Sequence, residues 1–169
     1  MLLVLLACCG PTTLAEEALR IEIHKEDRRL VLLRGDALVV EHPIGLGFSP
    51  TGHKQREGDG ATPEGRYRVC VKNPQSQYYL SLGINYPNSE DADRGLERGQ
   101  ITADQAAAIR RAERRGVCPP WNTALGGTIY IHGRGASSDW TLGCVALDDP
   151  PMRRLFDTVP VGTEVSIYP

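Results

Sequence analysis

Apolar and polar residues alternate between positions 19 and 24, reading LRIEIH, with the period of two of a half-buried β-strand. Apolar runs at 30–33 and 37–40 flank Arg34-Gly35-Asp36, a spacing that fits two strands joined by a tight hairpin. The run 44–48 continues with glycine at alternate positions, Gly45 and Gly47, which predicts close approach of another backbone. A polar loop follows, SPTGHKQREGDGATPEGRY, in which Thr-Pro-Glu-Gly reads as a turn. Strands are predicted at 67–71, ended by Asn73-Pro74, and at 77–84, ended by the turn Asn85-Tyr86-Pro87-Asn88. Further on, Thr128, Ile129 and Ile131 mark a β-branched strand, 145–147 a buried run, and Val165-Ser166-Ile167 a last strand.

Between 88 and 117 the pattern changes to charged and alanine-rich sequence without β-branched runs, a helical insertion. Thr102 and Gln105 have the spacing of a capping box, and Arg110, Arg111, Arg114 and Arg115 load the far end, where cations complement the helix dipole. A short helix is predicted near 91–98, a firmer one over 103–115, and a third over 151–157. The four arginines read first as a solvated face, with attraction of substrate carboxylates as the alternative. The fold class is mainly β, with short helices.

A chain of 169 residues supports one domain with its own core. A net charge of −2 argues against a nucleic-acid or anionic-membrane surface as its main partner. The first fifteen residues, MLLVLLACCGPTTLA, carry no charge and open with an apolar run too short to span a bilayer. They read as an export signal over 1–15, with Thr13-Leu14-Ala15 as the cleavage site, leaving a domain over 16–169. A lipoprotein signal acylated on Cys8 is the competing reading. Export allows Cys70 and Cys118 to form a disulfide and leaves Cys144 unpaired. No Cys-x-x-Cys or His-rich spacing occurs, so neither metal nor cofactor is expected.

The chemistry concentrates in 129–147, IYIHGRGASSDWTLGCVAL, where His132 and Cys144 sit on the link between two apolar runs. A cysteine attacks an amide as thiolate, and a neighbouring imidazole supplies it by accepting the proton. His132 is the one histidine close in sequence to Cys144.

This stretch resembles the L,D-transpeptidase (YkuD-type) catalytic domain, whose signature is His-Gly followed by Ser/Thr-x-Gly-Cys, here His132-Gly133 and Thr141-Leu142-Gly143-Cys144. The polar loop matches the same family through Pro50, Gly52, Lys54, Gly58, Asp59, Thr62, Pro63, Glu64, Gly65 and Tyr67. Leu142 stands where most members have histidine, Ala146 where most have arginine or asparagine, and the His132–Cys144 segment is short. With Asp139-Trp140-Thr141 and GCVAL, these departures look like the YafK-type branch.

The resemblance implies a YkuD-type β-sandwich and a thioester mechanism on peptidoglycan stem peptides in the periplasm or cell envelope. Cys144 would be the nucleophile, His132 the base, and the Gly133 carbonyl the group that orients His132. Backbone N–H groups of Leu142, Gly143 and Cys144 would form the oxyanion hole. Thr141, Trp140, Tyr86 and Arg134 are the substrate-binding candidates, with Thr141 also bracing the loop and Tyr86 a cleft wall. His53 and Lys54 are expected in solvent, with a substrate carboxylate as the alternative partner. An amine acceptor makes a cross-link; water makes a hydrolase, including one that releases a wall-linked lipoprotein. A catalytically silent wall-binding module is the reading from a different class.

Overall fold

A computed structural model describes residues 17–169, so the proposed signal over 1–15 lies outside the described residues. Eight strands and three helices follow in order: β1 (Leu19–His24), β2 (Arg29–Arg34), β3 (Ala37–Pro43), β4 (Gly65–Asn73), β5 (Ser81–Ile84), α1 (Ser89–Glu97), α2 (Ala103–Arg114), β6 (Tyr130–His132), β7 (Val145–Ala146), α3 (Asp149–Thr158) and β8 (Glu164–Tyr168). The mainly β expectation holds. The strands form one sheet in the order β3-β2-β1-β8-β4-β5-β6-β7, whose two halves supply the layers of the sandwich.

The corner is β4. Its residues 65–68 pair with β8, the register shifts between Val69 and Val71, and its later residues pair with β5. Such an irregularity bends a strand and increases its twist. The last strand, β8, lies centrally, parallel to β1 and antiparallel to β4. Inward residues of both halves, among them Ile21, Leu32, Val69, Leu82, Ile131, Leu147 and Val165, fill one core.

The segment after β3 is not a regular strand. It crosses to the opposite edge of the sheet, where Gly45 and Ala146 exchange hydrogen bonds of 2.9 and 2.8 Å and Thr141 bonds to Leu46 and Phe48. The alternate glycines explain the seam. A Cβ on Gly47 would lie 1.9 Å from the Gly60 carbonyl and 2.9 Å from the Gly143 Cα, and one on Gly45 would lie 2.2 Å from the Ser138 carbonyl.

Two predicted strands begin late. Tyr79 has φ of 73° and Thr128 φ of 52°, so β5 starts at Ser81 and β6 at Tyr130. The Tyr78 carbonyl, turned out of the strand, accepts the Gly133 N–H at 3.0 Å. In the insertion, both halves of the Thr102–Gln105 capping box form, and Asn88 with Asp91 makes a second. The two helices bury Ala92, Ile101, Ala106 and Ile109 against Leu125 in a small core of their own. The Cys70–Cys118 disulfide ties the end of the insertion to β4, as expected. Among the described residues no helix is long and apolar enough to cross a membrane.

Candidate active site

β6 and β7 run parallel, with Ile131 opposite Val145 and His132 opposite Ala146. Cys144, one residue before that pairing, is therefore level with Tyr130. The Tyr130 N–H donates to its Sγ at 3.4 Å, and the thiol donates to the Thr128 carbonyl at 3.6 Å. That carbonyl points at the sulfur because Thr128 adopts a positive φ, uncommon for a β-branched residue and one of the strained conformations that cluster at functional sites.

His132 is buried at the end of β6. Its Nδ1 lies 2.7 Å from the Gly133 carbonyl, which can only accept, so Nδ1 carries the proton and Nε2 keeps its lone pair. The Tyr78 ring stacks on the imidazole at 4.7 Å, and Trp140 meets it edge-on at 5.6 Å. Burial lowers the His132 pKa, opposed by the Gly133 bond. Burial raises that of Cys144, opposed by the Tyr130 N–H and the positive charge of Lys54. Both effects favour the uncharged forms, a thiol and a neutral imidazole.

Thr141 does brace the loop. Its hydroxyl donates to the Cys144 carbonyl at 2.7 Å and accepts the Gly143 N–H at 3.1 Å. That second bond corrects the expected oxyanion hole, because the Gly143 donor is already engaged. Gly143 has φ of 125°, and a Cβ there would lie 2.6 Å from the Ala61 carbonyl, so the loop before Cys144 is seated directly on the polar loop. Asp139 anchors its other end, taking a two-pronged ion pair from Arg28 and the Leu46 N–H at 2.9 Å.

His132 and Cys144 open into one cleft of about 560 Å³. Tyr78, Tyr130 and Trp140 supply aromatic walls, Leu142 and Thr141 a rim, and Asn73, Gln75, Ser76 and Gln77 a polar wall. Two substrate-binding candidates are not part of it. Tyr86 is in the core, 1% exposed, because its hydroxyl donates to the Leu125 carbonyl and its ring meets Tyr67 edge-on. Arg134 is exposed outside the cleft lining, its backbone N–H tied to Asp149 at 2.8 Å. The aromatic wall that replaces Tyr86 is Tyr78, which sequence reasoning assigned to a strand. Tyr130 and Thr128 were likewise read only as strand residues; the cleft-facing parity of Tyr130 with His132 was the available signal.

Lys54 and His53 are not in solvent. Lys54 is 3% exposed and bonds Asp59 at 2.7 Å. Burial would raise the Asp59 pKa, but hydrogen bonds from Lys54, Gln55, Arg56 and Ala61 outweigh it and hold it low. His53 accepts the Glu64 N–H on Nδ1 and faces Asp91 through Nε2 at 3.1 Å. The polar loop is thus pinned from inside. Among the described residues no three His, Cys, Asp or Glu side chains are grouped to hold a metal ion.

Comparison with known proteins bears on the family and the fold. The putative L,D-transpeptidase YafK of Escherichia coli K12 is 28% identical over 162 residues, 88% of this chain and 53% of the relative. The chain therefore spans about half the length of the curated relatives it matches. Among solved structures, the helical cell shape determining protein Pgp2 from Campylobacter jejuni superposes with a TM-score of 0.61 at 23% identity, covering 90% of this chain and 48% of that one. Bd1075 of Bdellovibrio bacteriovorus gives 0.58 at 22%, over 93% and 50%. These likenesses establish the shared fold. The family model for the L,D-transpeptidase catalytic domain matches residues 18–167, from β1 through nearly all of β8, and the chain belongs to that YkuD family.

Proposed function

We propose that the chain acts on peptidoglycan stem peptides through a thioester on Cys144. The observation that carries this reading is the oriented imidazole: with Nδ1–H held by the Gly133 carbonyl, the free Nε2 lone pair of His132 shares a cleft with the thiol. His132 takes the proton from Cys144, the sulfur attacks the L,D-linked carbonyl, and the imidazolium returns the proton to the departing amine. An incoming amine then makes a cross-link, and water completes hydrolysis. Trp140 and Thr141 line the cleft where the substrate chain passes. The Cys70–Cys118 disulfide supports an oxidising compartment outside the cytoplasm.

Leu142 in place of the family's usual histidine and the short His132–Cys144 segment leave a second reading within the same chemistry, a hydrolase that releases a wall-linked lipoprotein. Product masses from defined tetrapeptide muropeptides separate the two. Wild type is expected to form a thioester adduct with a carbapenem in intact-protein mass spectrometry, and Cys144→Ala none; an adduct that persists in Cys144→Ala refutes the nucleophile. Adduct without muropeptide turnover refutes the substrate. Absence of both, with a Cys144 thiol that also resists labelling, would favour the wall-binding module.

A further inference from the structure

Attack by Cys144 places negative charge on the former carbonyl oxygen, and donors aimed at that oxygen carry much of the rate in acyl transfer. The Gly143 N–H is committed to Thr141 Oγ1, whose own proton goes to the Cys144 carbonyl, so using it would dismantle the brace under the nucleophile. Among the described residues the Cys144 N–H has no partner and remains available, as does the N–H of Leu142 at the cleft rim, and a side-chain donor beside them would complete the hole.

Tyr130 stands beside it. Two positions before His132 on β6, it projects from the same strand face, and both side chains line the cleft with Cys144. Its backbone N–H already touches the sulfur. Its ring is held from two directions. On β5, Gly83 is opposite in register, and an added Cβ there would lie 2.8 Å from the ring, so the missing side chain makes the space the ring fills. From the insertion, Trp121 meets the ring edge-on at 5.9 Å, three residues after the disulfide-bonded Cys118. Among the described residues the Tyr130 hydroxyl has no hydrogen-bond partner.

We propose that the Tyr130 phenol is a catalytic oxyanion donor, sharing with the Cys144 N–H the oxygen that becomes negative when the thiolate attacks. This rests on Cys144 being the nucleophile. In the step, the Cys144 proton passes to His132 Nε2, the sulfur–carbon bond forms, and the carbonyl π pair moves onto oxygen. That oxygen accepts hydrogen bonds from Tyr130 O–H and Cys144 N–H without taking either proton. The pair then re-forms the carbonyl, the carbon–nitrogen bond breaks, and the amine leaves with the proton from His132. Burial and the Cys144 charge both raise the phenol pKa, so the hydroxyl stays protonated and serves as a donor rather than a base.

Tyr130→Phe keeps the ring and removes the donor. The expected result is a fall of roughly 10²-fold in kcat on muropeptides, with the melting temperature and the iodoacetamide alkylation rate of Cys144 unchanged. Alkylation needs the thiolate but forms no oxyanion, so it isolates the claim. Wild-type kcat in Tyr130→Phe overturns the proposal, and so does a parallel loss of alkylation, which would mean that Tyr130 acts through the sulfur. Carbapenem acylation forms the same oxyanion and is measured alongside. If wild type ignores muropeptides but acylates in a Tyr130-dependent manner, the substrate reading fails and the Tyr130 role stands. No acylation of wild type by either donor, with the thiol alkylated normally, refutes both.

Discussion

At the scale of single residues, burial pushes the His132 imidazole and the Cys144 thiol in the same sense, each toward its uncharged form. Burial under Tyr78 and Trp140 sets His132 below its ordinary value of 6.5, despite the Gly133 bond. Burial sets Cys144 above its ordinary value of 9.0, despite the Tyr130 N–H and Lys54. The sign follows directly. His132 must be unprotonated to accept, so the acid limb of the kcat/KM profile falls below pH 6.5. The free enzyme's thiol, in contrast, should alkylate ever faster as pH rises through the alkaline range. Iodoacetamide rates against pH measure this, and a plateau already reached below neutrality would mean a resting thiolate–imidazolium pair instead. In the Michaelis complex the proton transfer is coupled to attack, so a high thiol pKa does not forbid turnover. Cys144→Ser should lose turnover while keeping the fold, because the serine hydroxyl is a far weaker nucleophile; His132→Ala should cost at least roughly 10²-fold.

At the scale of elements, the insertion is a small helical unit with its own apolar contacts and two capping boxes, held to the sheet by one covalent tie. The disulfide spans 48 residues and encloses both α1 and α2. Closing a loop of this kind restricts the unfolded chain, typically by about 2–4 kcal/mol. The double variant Cys70→Ala/Cys118→Ala should therefore melt roughly 5–10 °C lower. Activity should fall only in part, since Trp121 would lose its tether but His132 ends β6 and Cys144 directly precedes β7. An unchanged melting temperature in calorimetry would show that the contacts of Leu125, Ala106 and Ile109 hold the insertion by themselves.

At the scale of the whole molecule, Cys144 stands on the seam where the curled sheet meets its own other end. Gly47, Gly60 and Gly143 bring three backbones together there, with no room for a Cβ on the first. Gly47→Ala must push both the Gly60 carbonyl and the Gly143 backbone aside, and overpacking of this sort costs about 1–3 kcal/mol. Because the displaced Gly143 carries Cys144, kcat/KM should fall more than stability alone explains. Denaturant melts and muropeptide kinetics on the same variant test it; wild-type kinetics with reduced stability would show that the seam is structural scaffold only.

Much was legible in the sequence because it is encoded over a few neighbouring residues. Alternation marked β1; apolar runs on either side of Arg34-Gly35-Asp36 marked β2 and β3; the Thr102–Gln105 spacing marked the start of α2; and the family signature marked His132, Gly133 and Cys144 in their roles as candidates. The side-chain brace of Thr141 and the Gly133 acceptor could be anticipated for the same reason, since each spans only one to three residues. What the tertiary structure alone decided joins segments distant in sequence. Tyr78 rather than Tyr86 is the cleft wall because positive φ at Tyr79 makes the strand begin late and the Tyr78 carbonyl is captured by Gly133. Lys54 is buried because Asp59 and the backbone around it replace its water. Thr128 aims its carbonyl at the thiol through a backbone conformation its residue type disfavours, and Arg28 reaches Asp139 across 111 residues. Local propensity specifies strands and turns; which side chain meets which depends on how the sheet curls, and that is set by the packing of the whole core.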